Sequence, residues 1–115
     1  MSRRGLRGAA AAAAVGLVVG IASAAAGATT VRMVDGSGSD ENFYRPRTVR
    51  VQKGTRVVWR NNGSRPHTTT SNGGLWDSGT VQPGQKYARK FRKVGTFRFH
   101  CEIHDGMTGK IVVKA

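Results

Sequence analysis

The sequence GTFRFHCEIHDGMTGKIVVK, residues 95–114, consists of two short segments of alternating character that flank a loop. In the first segment Phe99 and Cys101 fall on one side of the chain, and polar residues fall on the other. In the second segment Ile111 and Val113 share one side and are flanked by lysines. A period of two is typical of a β-strand with one buried face. This stretch therefore predicts two strands whose apolar sides face a common core.

Segments of the same kind recur along the rest of the chain and are separated by turns rich in Gly, Pro and Asn. No segment after the N-terminal region keeps the spacing of a helix. Many short strands at regular spacing favour an all-β sandwich or barrel. The predicted strands are Thr30–Val34, Thr48–Val51, Arg56–Asn61, His67–Thr70, Gln85–Phe91, Thr96–Cys101 and Lys110–Lys114.

The loop between the last two strands carries three residues that bind soft metals. His104 and Met107 follow Cys101 at +3 and +6, and a further histidine, His67, stands in an earlier loop. Alone, each has an ordinary structural explanation, such as a small buried thiol or a thioether that fills the core. Together they offer two imidazoles, one thiolate and one thioether, a set that suits copper better than zinc, calcium or magnesium. We therefore predict that these four residues bind one copper ion.

Length and composition limit what the chain can be. Its 115 residues suffice for one small domain, which excludes a multidomain enzyme, and its one cysteine cannot form a disulfide within the chain. Nineteen Lys and Arg against six Asp and Glu give a formal net charge of +13. This excess indicates either a solvated surface or attraction to an acidic redox partner or an anionic membrane surface. Nucleic acid is not expected, since no basic and aromatic recognition module is present.

The first 28 residues have the three parts of a secretory signal peptide. Three arginines within the first seven residues are followed by an uncharged run, Ala9–Ala26, and by small residues that suit signal peptidase. The twin-arginine and the general secretory routes are both compatible with this segment, and a retained membrane anchor is the alternative. Cleavage after residue 28 leaves a domain of residues 29–115, which we expect in the periplasm, the cell envelope or the extracellular space.

Beyond the four ligands, a wider set of positions resembles the cupredoxins, a family of blue copper proteins, and most of all their amicyanin and plastocyanin-like members. The resemblance implies a Greek-key β-sandwich of about seven to eight short strands, one type 1 copper and one-electron transfer between redox proteins, without enzyme activity. The positions that carry it are Pro46, Val49, Val51, Gly54, Val57, Trp59, Asn61, Pro66, His67, Pro83, Gly84, Phe91, Gly95, Thr96, Phe97, Cys101, His104, Met107, Gly109 and Lys110.

The resemblance also implies a role for each ligand. His67, Cys101 and His104 correspond to the strong ligands and Met107 to the weak axial one, and His104 is expected nearer the surface, as the route for the electron. Many members have Asn directly after the first histidine, where it ties the two ligand loops together. This chain has Thr68 there, whose hydroxyl can still form a hydrogen bond but has a shorter reach. The substitution leaves the ligands intact and leaves the reduction potential open.

A copper carrier or storage protein, exported in the same way, is the alternative function. An enzyme domain is disfavoured, because multicopper enzymes need more histidines than the three present. The family resemblance implies redox proteins as partners, with an amine dehydrogenase-like donor or a cytochrome-like acceptor. Peripheral association with an anionic membrane is a further option, and we expect a monomer.

Overall fold

The computed structural model describes residues 27–38 and 41–115, so nearly all of the signal peptide predicted for residues 1–28 lies outside the described residues. Within the described part no helix is long and apolar enough to cross a membrane. Eight strands occur there, which confirms the all-β expectation and the predicted number. They are β1 (Ala28–Val34), β2 (Phe43–Arg45), β3 (Thr48–Gln52), β4 (Thr55–Asn61), β5 (Thr70–Ser71), β6 (Lys86–Phe91), β7 (Gly95–His100) and β8 (Thr108–Lys114).

The strands form two four-stranded sheets. Sheet A has the order β2-β1-β4-β6 and sheet B the order β3-β8-β7-β5. Two pairings are parallel, β1 with β4 and β3 with β8, and the remaining pairings within the two sheets are antiparallel. The chain passes repeatedly from one sheet to the other, so the apolar sides of both sheets face a shared core.

Aromatic rings fill the centre of this core. Trp59 is fully buried, and its ring centroid lies 5.4 Å from that of Phe99, 5.7 Å from Trp76 and 6.3 Å from Phe91. Trp76 is only 6% exposed and belongs to the core. The alternating residues of β8 also face inward, since Ile111 and Val113 are buried.

The strand predicted for residues 67–70 is wrong over most of its length. Only Thr70 belongs to β5, and His67 makes a single bridge to Val81. The reason is that the backbone amides here bond to side chains: the N–H of Thr68 donates to the sulfur of Cys101, and the N–H of Thr69 donates to the Ser78 hydroxyl. These amides bond to side chains, so they cannot continue a β-ladder.

Strand β2 was not predicted from the sequence. It spans three residues, and Pro46 follows it directly. A segment this short shows no measurable alternation, and a proline after it removes the next backbone donor. Its inward residue, Tyr44, is nevertheless almost fully buried and packs edge-on against Phe99 at 4.7 Å between ring centroids.

Gly109 in β8 gives a direct test of the packing. A Cβ at this position would lie 2.5 Å from Cζ of Phe99 and 2.9 Å from the carbonyl oxygen of Arg47. We expect Gly109→Ala to lower the free energy of unfolding by about 1–3 kcal/mol, because overpacking a close-packed core forces side chains and backbone to shift.

Gly73→Ala is the matched control, since the nearest atom to its Cβ would be the Ser71 hydroxyl oxygen at 4.0 Å. Denaturant unfolding of both variants measures the difference. Equal stability of the two variants would contradict the packing described for β7 and β8.

Candidate metal centre

Two loops that leave different sheets bring the predicted ligands together. His67 lies in the loop that follows β4 of sheet A, and Cys101 directly follows β7 of sheet B. His104 and Met107 lie in the short loop that leads from β7 to β8. The alternation of β7 continues into Cys101, so its side chain points inward like that of Phe99, and both are buried.

Three of the predicted ligands present their donor atoms to one another. A ring nitrogen of His67, a ring nitrogen of His104 and the sulfur of Cys101 all lie within 4.8 Å of one another. The sulfur lies 3.6 Å from Nδ1 of His104, and the two imidazole centroids are 4.9 Å apart. Mutual distances of this size fit one small ion between the three atoms.

The fourth residue, Met107, is folded back toward Cys101. Its carbonyl oxygen accepts a hydrogen bond of 3.0 Å from the N–H of Cys101, which closes the loop, and the residue is 1% exposed. The histidines differ in burial as the sequence predicted: His67 is fully buried, whereas His104 is partly exposed. His100 points to the other side of β7, where its ring nitrogens contact Asn72 and Glu102.

Thr68 links the two loops despite its short side chain. Its hydroxyl oxygen accepts a hydrogen bond of 2.9 Å from the N–H of Glu102, and its own N–H donates to the Cys101 sulfur at 3.3 Å. Its carbonyl accepts a hydrogen bond of 2.6 Å from the Tyr44 hydroxyl. The two loops are therefore joined by a threonine, through both its backbone and its side chain.

An acidic residue that sequence reasoning missed completes the site. Oδ1 of Asp35 lies 2.9 Å from Nε2 of His67, and Oδ2 accepts hydrogen bonds from the N–H and hydroxyl of Ser64 at 2.5 and 2.8 Å. Asp35 stands 32 residues before His67, so no local spacing could have indicated it. A carboxylate at Nε2 favours the tautomer with its proton on that nitrogen.

That tautomer leaves Nδ1 of His67 as the nitrogen available to the cluster. This atom is buried and has no hydrogen-bond partner among the described residues. A buried polar atom without a partner destabilises a fold by about 1–3 kcal/mol, and among the described side chains the Nε1 of Trp59 in the core is the other such atom. Coordination of a metal ion by Nδ1 would remove this penalty.

The electrostatics of the site favour an ionised sulfur. Burial would raise the pKa of the Cys101 thiol, but the His67 imidazole and the N–H groups of Thr68, Ile103 and His104 outweigh it and lower the pKa to about 6. Burial lowers the pKa of His67, but Cys101 and Asp35 outweigh it and raise that pKa. Asp35 itself is held ionised, because the Ser64 N–H and the His67 ring overcome its burial and lower its pKa to about 2.

Comparison with known proteins places this arrangement among copper proteins of one fold. Residues 9–113 match the family model described as cupredoxin-like domain. Chloroplastic plastocyanin of Tetradesmus obliquus is 29% identical over 88% of this chain and 79% of its own length, and amicyanin-alpha of Methylorubrum extorquens is 31% identical over 90% and 87%. A solved amicyanin variant in its Cu(I) form superimposes with a TM-score of 0.66 at 26% identity, covering 81% of this chain and 88% of that one. These likenesses confirm the predicted all-β sandwich.

The ionisation of the thiol can be measured without metal. We expect the ultraviolet absorbance of the thiolate in the metal-free protein to rise with a midpoint near pH 6 instead of the ordinary value of 9.0. A pKa lowered by folding means that the thiolate stabilises the fold above pH 9.0, and that this stabilisation is lost as the pH falls toward 6.

Cys101→Ser is the control and should show no thiolate transition in this range. Denaturant unfolding of both proteins should also show their difference in stability shrinking as the pH falls. A thiol midpoint near its ordinary value would contradict the hydrogen bonds described around the sulfur.

Proposed function

Because the chain belongs to the cupredoxin-like domain family, we propose that it is an exported one-electron carrier in which His67, Cys101, His104 and Met107 hold the copper ion. Copper is the cofactor of this family, and the relatives named plastocyanin and amicyanin are electron carriers rather than enzymes. One observation supports the ligand assignment above the others: a thiol with a lowered pKa and two imidazole nitrogens converge within 4.8 Å.

The donor set fits copper chemically. Thiolate and thioether sulfur suit Cu(I), and imidazole is a good ligand for both oxidation states. Zinc is bound by thiolate and imidazole but seldom by thioether, so the placement of Met107 in the same closed loop favours copper. The buried and unpartnered Nδ1 of His67 supports ligation by that nitrogen rather than by Nε2, which contacts Asp35.

The residues around the site hold the ligands in one arrangement. Bound copper supplies the one-electron couple, and the protein keeps its donor atoms fixed while the charge changes. Thr68 joins the two loops at the Cys101 sulfur and at the N–H of Glu102, and the Cys101 N–H to Met107 carbonyl bond closes the ligand loop. A ligand set held by a supporting network needs little rearrangement, which favours electron transfer over release of the ion.

His104 is the ligand best placed to pass the electron. It is the partly exposed member of the histidine pair, and the neighbouring Ile103 exposes 45% of its surface. A partner that covers this end of the sandwich would contact an apolar side chain beside an imidazole edge. Redox partner proteins are common to the amicyanin and plastocyanin relatives, and an amine dehydrogenase-like donor or a cytochrome-like acceptor fits this site.

Export is supported by the N-terminal sequence. A basic start, an uncharged run and small residues before position 29 are the parts of a signal peptide. We place the carrier in the periplasm, the cell envelope or the extracellular space. An exposed, unliganded thiol would be oxidised in such compartments, and burial of Cys101 within a copper site protects it.

Reconstitution with copper tests the function. We expect Cu(II) to give an intense blue thiolate-to-copper absorption that bleaches on reduction and returns on oxidation through many cycles. Cys101→Ser should abolish the colour, and His104→Gln should remove or strongly shift it.

The matched control is His100→Gln, which should keep the spectrum because the His100 side chain points away from the site and contacts Asn72 and Glu102. A colourless protein that binds Cu(I) alone and loses it on oxidation would favour the copper carrier or storage function instead.

The Asp35 carboxylate gives a second test. Its negative charge supports a positive imidazole–metal unit, so Asp35→Asn should weaken Cu(II) binding by about 10–100-fold, the range found for such supporting residues. Because the carboxylate stabilises the more highly charged ion more strongly, the midpoint potential should rise.

Glu41→Gln is the control, since Glu41 lies in the same β1–β2 connection, is exposed and contacts Ser37 and Gly38 instead. Nitrogen NMR shifts of His67 in the metal-free protein report the tautomer directly. An unchanged tautomer and potential in Asp35→Asn would contradict the role given to this residue.

A further inference from the structure

The outer face of sheet A carries a row of positive charges that crosses all four of its strands. Arg45 of β2 is opposite Arg32 of β1, Arg32 is opposite Arg60 of β4, and Arg60 is opposite Lys86 of β6. All four residues are exposed. Neighbouring strands lie about 4.8 Å apart, so the row is on the order of 14 Å long.

A second pair of cations lies further along the same face. Arg56 of β4 is opposite Lys90 of β6, and both are exposed. The outward positions between this pair and the row are neutral. Val58 of β4 is opposite Thr30 of β1 and also opposite Ala88 of β6. We call the six charged residues the basic face: Arg32, Arg45, Arg56, Arg60, Lys86 and Lys90.

Among the described residues, no carboxylate balances the basic face. The strands of sheet A contain no Asp or Glu, and the acidic residues that the structure describes all lie in loops. Two of these acids are paired with His67 and His100, and among the described residues no Lys or Arg lies within 4.0 Å of a carboxylate. Like charges directly opposite one another destabilise a sheet, so the fold carries an unfavourable arrangement that an anionic partner would relieve.

We propose that the basic face binds the anionic headgroups of a lipid bilayer. This inference rests on the proposed function, because an exported carrier meets a membrane surface. An acidic protein fits the face less well, because the outward positions between the charged residues, Thr30, Val58 and Ala88, offer no exposed aromatic or large apolar anchor of the kind that dominates binding at protein interfaces. The exposed large apolar side chains of the described residues, Leu75, Val94 and Ile103, lie in loops outside sheet A. A flat cationic surface suffices for adsorption to charged lipid.

The position of the basic face also favours a lipid bilayer as its partner. β1 begins two residues after the uncharged run Ala9–Ala26 in the sequence, so a strand of sheet A starts next to the segment predicted to meet the membrane during export. The face occupies the side of the sandwich, whereas His104 lies in a loop beyond the strand ends. A carrier adsorbed through this face therefore keeps its electron-transfer end free for a protein partner.

Vesicle binding of the exported protein tests the proposal. The probes are phosphatidylglycerol–phosphatidylcholine vesicles and pure phosphatidylcholine vesicles at several salt concentrations. The triple variant Arg32→Gln/Arg60→Gln/Lys86→Gln should lose on the order of a hundredfold in its partition onto the anionic vesicles, and its binding should lose most of its dependence on salt.

The matched control is Arg50→Gln/Arg98→Gln/Lys114→Gln, which removes the same charge from exposed positions of sheet B. It should lose less than about fivefold. Equal losses in the two triple variants would overturn the proposal, since net charge alone would then explain binding. Equal affinity for anionic and neutral vesicles would also overturn it, and so would salt-dependent binding to polyglutamate without binding to the anionic vesicles.

Two further readouts separate this inference from the copper function. The basic-face variant should keep the blue spectrum and should be at least as stable as the wild type, because it removes repulsion between neighbouring strands. Loss of vesicle binding with an intact spectrum would therefore show that the basic face binds vesicles independently of the copper site. A wild-type protein that binds vesicles but stays colourless with copper would overturn the proposed function without contradicting membrane binding by the basic face.

Discussion

The structure depends on keeping one sulfur ionised at a buried junction between two loops. The Cys101 sulfur receives the N–H of Thr68 from the loop that follows sheet A, and it lies beside the His104 ring on its own loop. Burial alone would raise the pKa of this thiol, but the His67 imidazole and the N–H groups of Thr68, Ile103 and His104 outweigh burial and lower it. The sandwich supplies the rigid ends of both loops. Thr68 joins the two loops, Tyr44 ties the His67 loop to β2, and the carbonyl of Met107 closes the Cys101 loop. A preformed anionic pocket of this kind suits a cation that must stay bound while its charge changes.

The sequence predicted those parts of the molecule whose signal is local. The period of two in β4, β7 and β8 correctly placed Trp59, Phe99 and Ile111 inside. The +3 and +6 spacing after Cys101 indicated a set of metal ligands within one loop, and the fold places the Cys101 sulfur and a His104 ring nitrogen close to His67. Each of these inferences uses residues within one strand or one turn, where backbone geometry fixes which side chains are neighbours.

Features that depend on contacts between distant parts of the chain could not be predicted from the spacing of residues in the sequence. Asp35 meets His67 only after β1 and β4 have paired in parallel, and nothing in the residues around position 35 marks it as part of a site. The amides of Thr68 and Thr69 bond to side chains that arrive from other parts of the chain, so their β-like composition misled the strand prediction. The row of cations on sheet A likewise appears only when the register of four strands is known.

Copper-edge X-ray absorption on the loaded protein in both redox states tests the central claim most directly. We expect one short sulfur distance and two nitrogen distances for a single copper ion, with the same ligands and nearly the same distances after reduction. The short sulfur contribution should disappear in Cys101→Ser. A copper environment of nitrogen and oxygen alone, or one that exchanges ligands when the ion is reduced, would contradict the account.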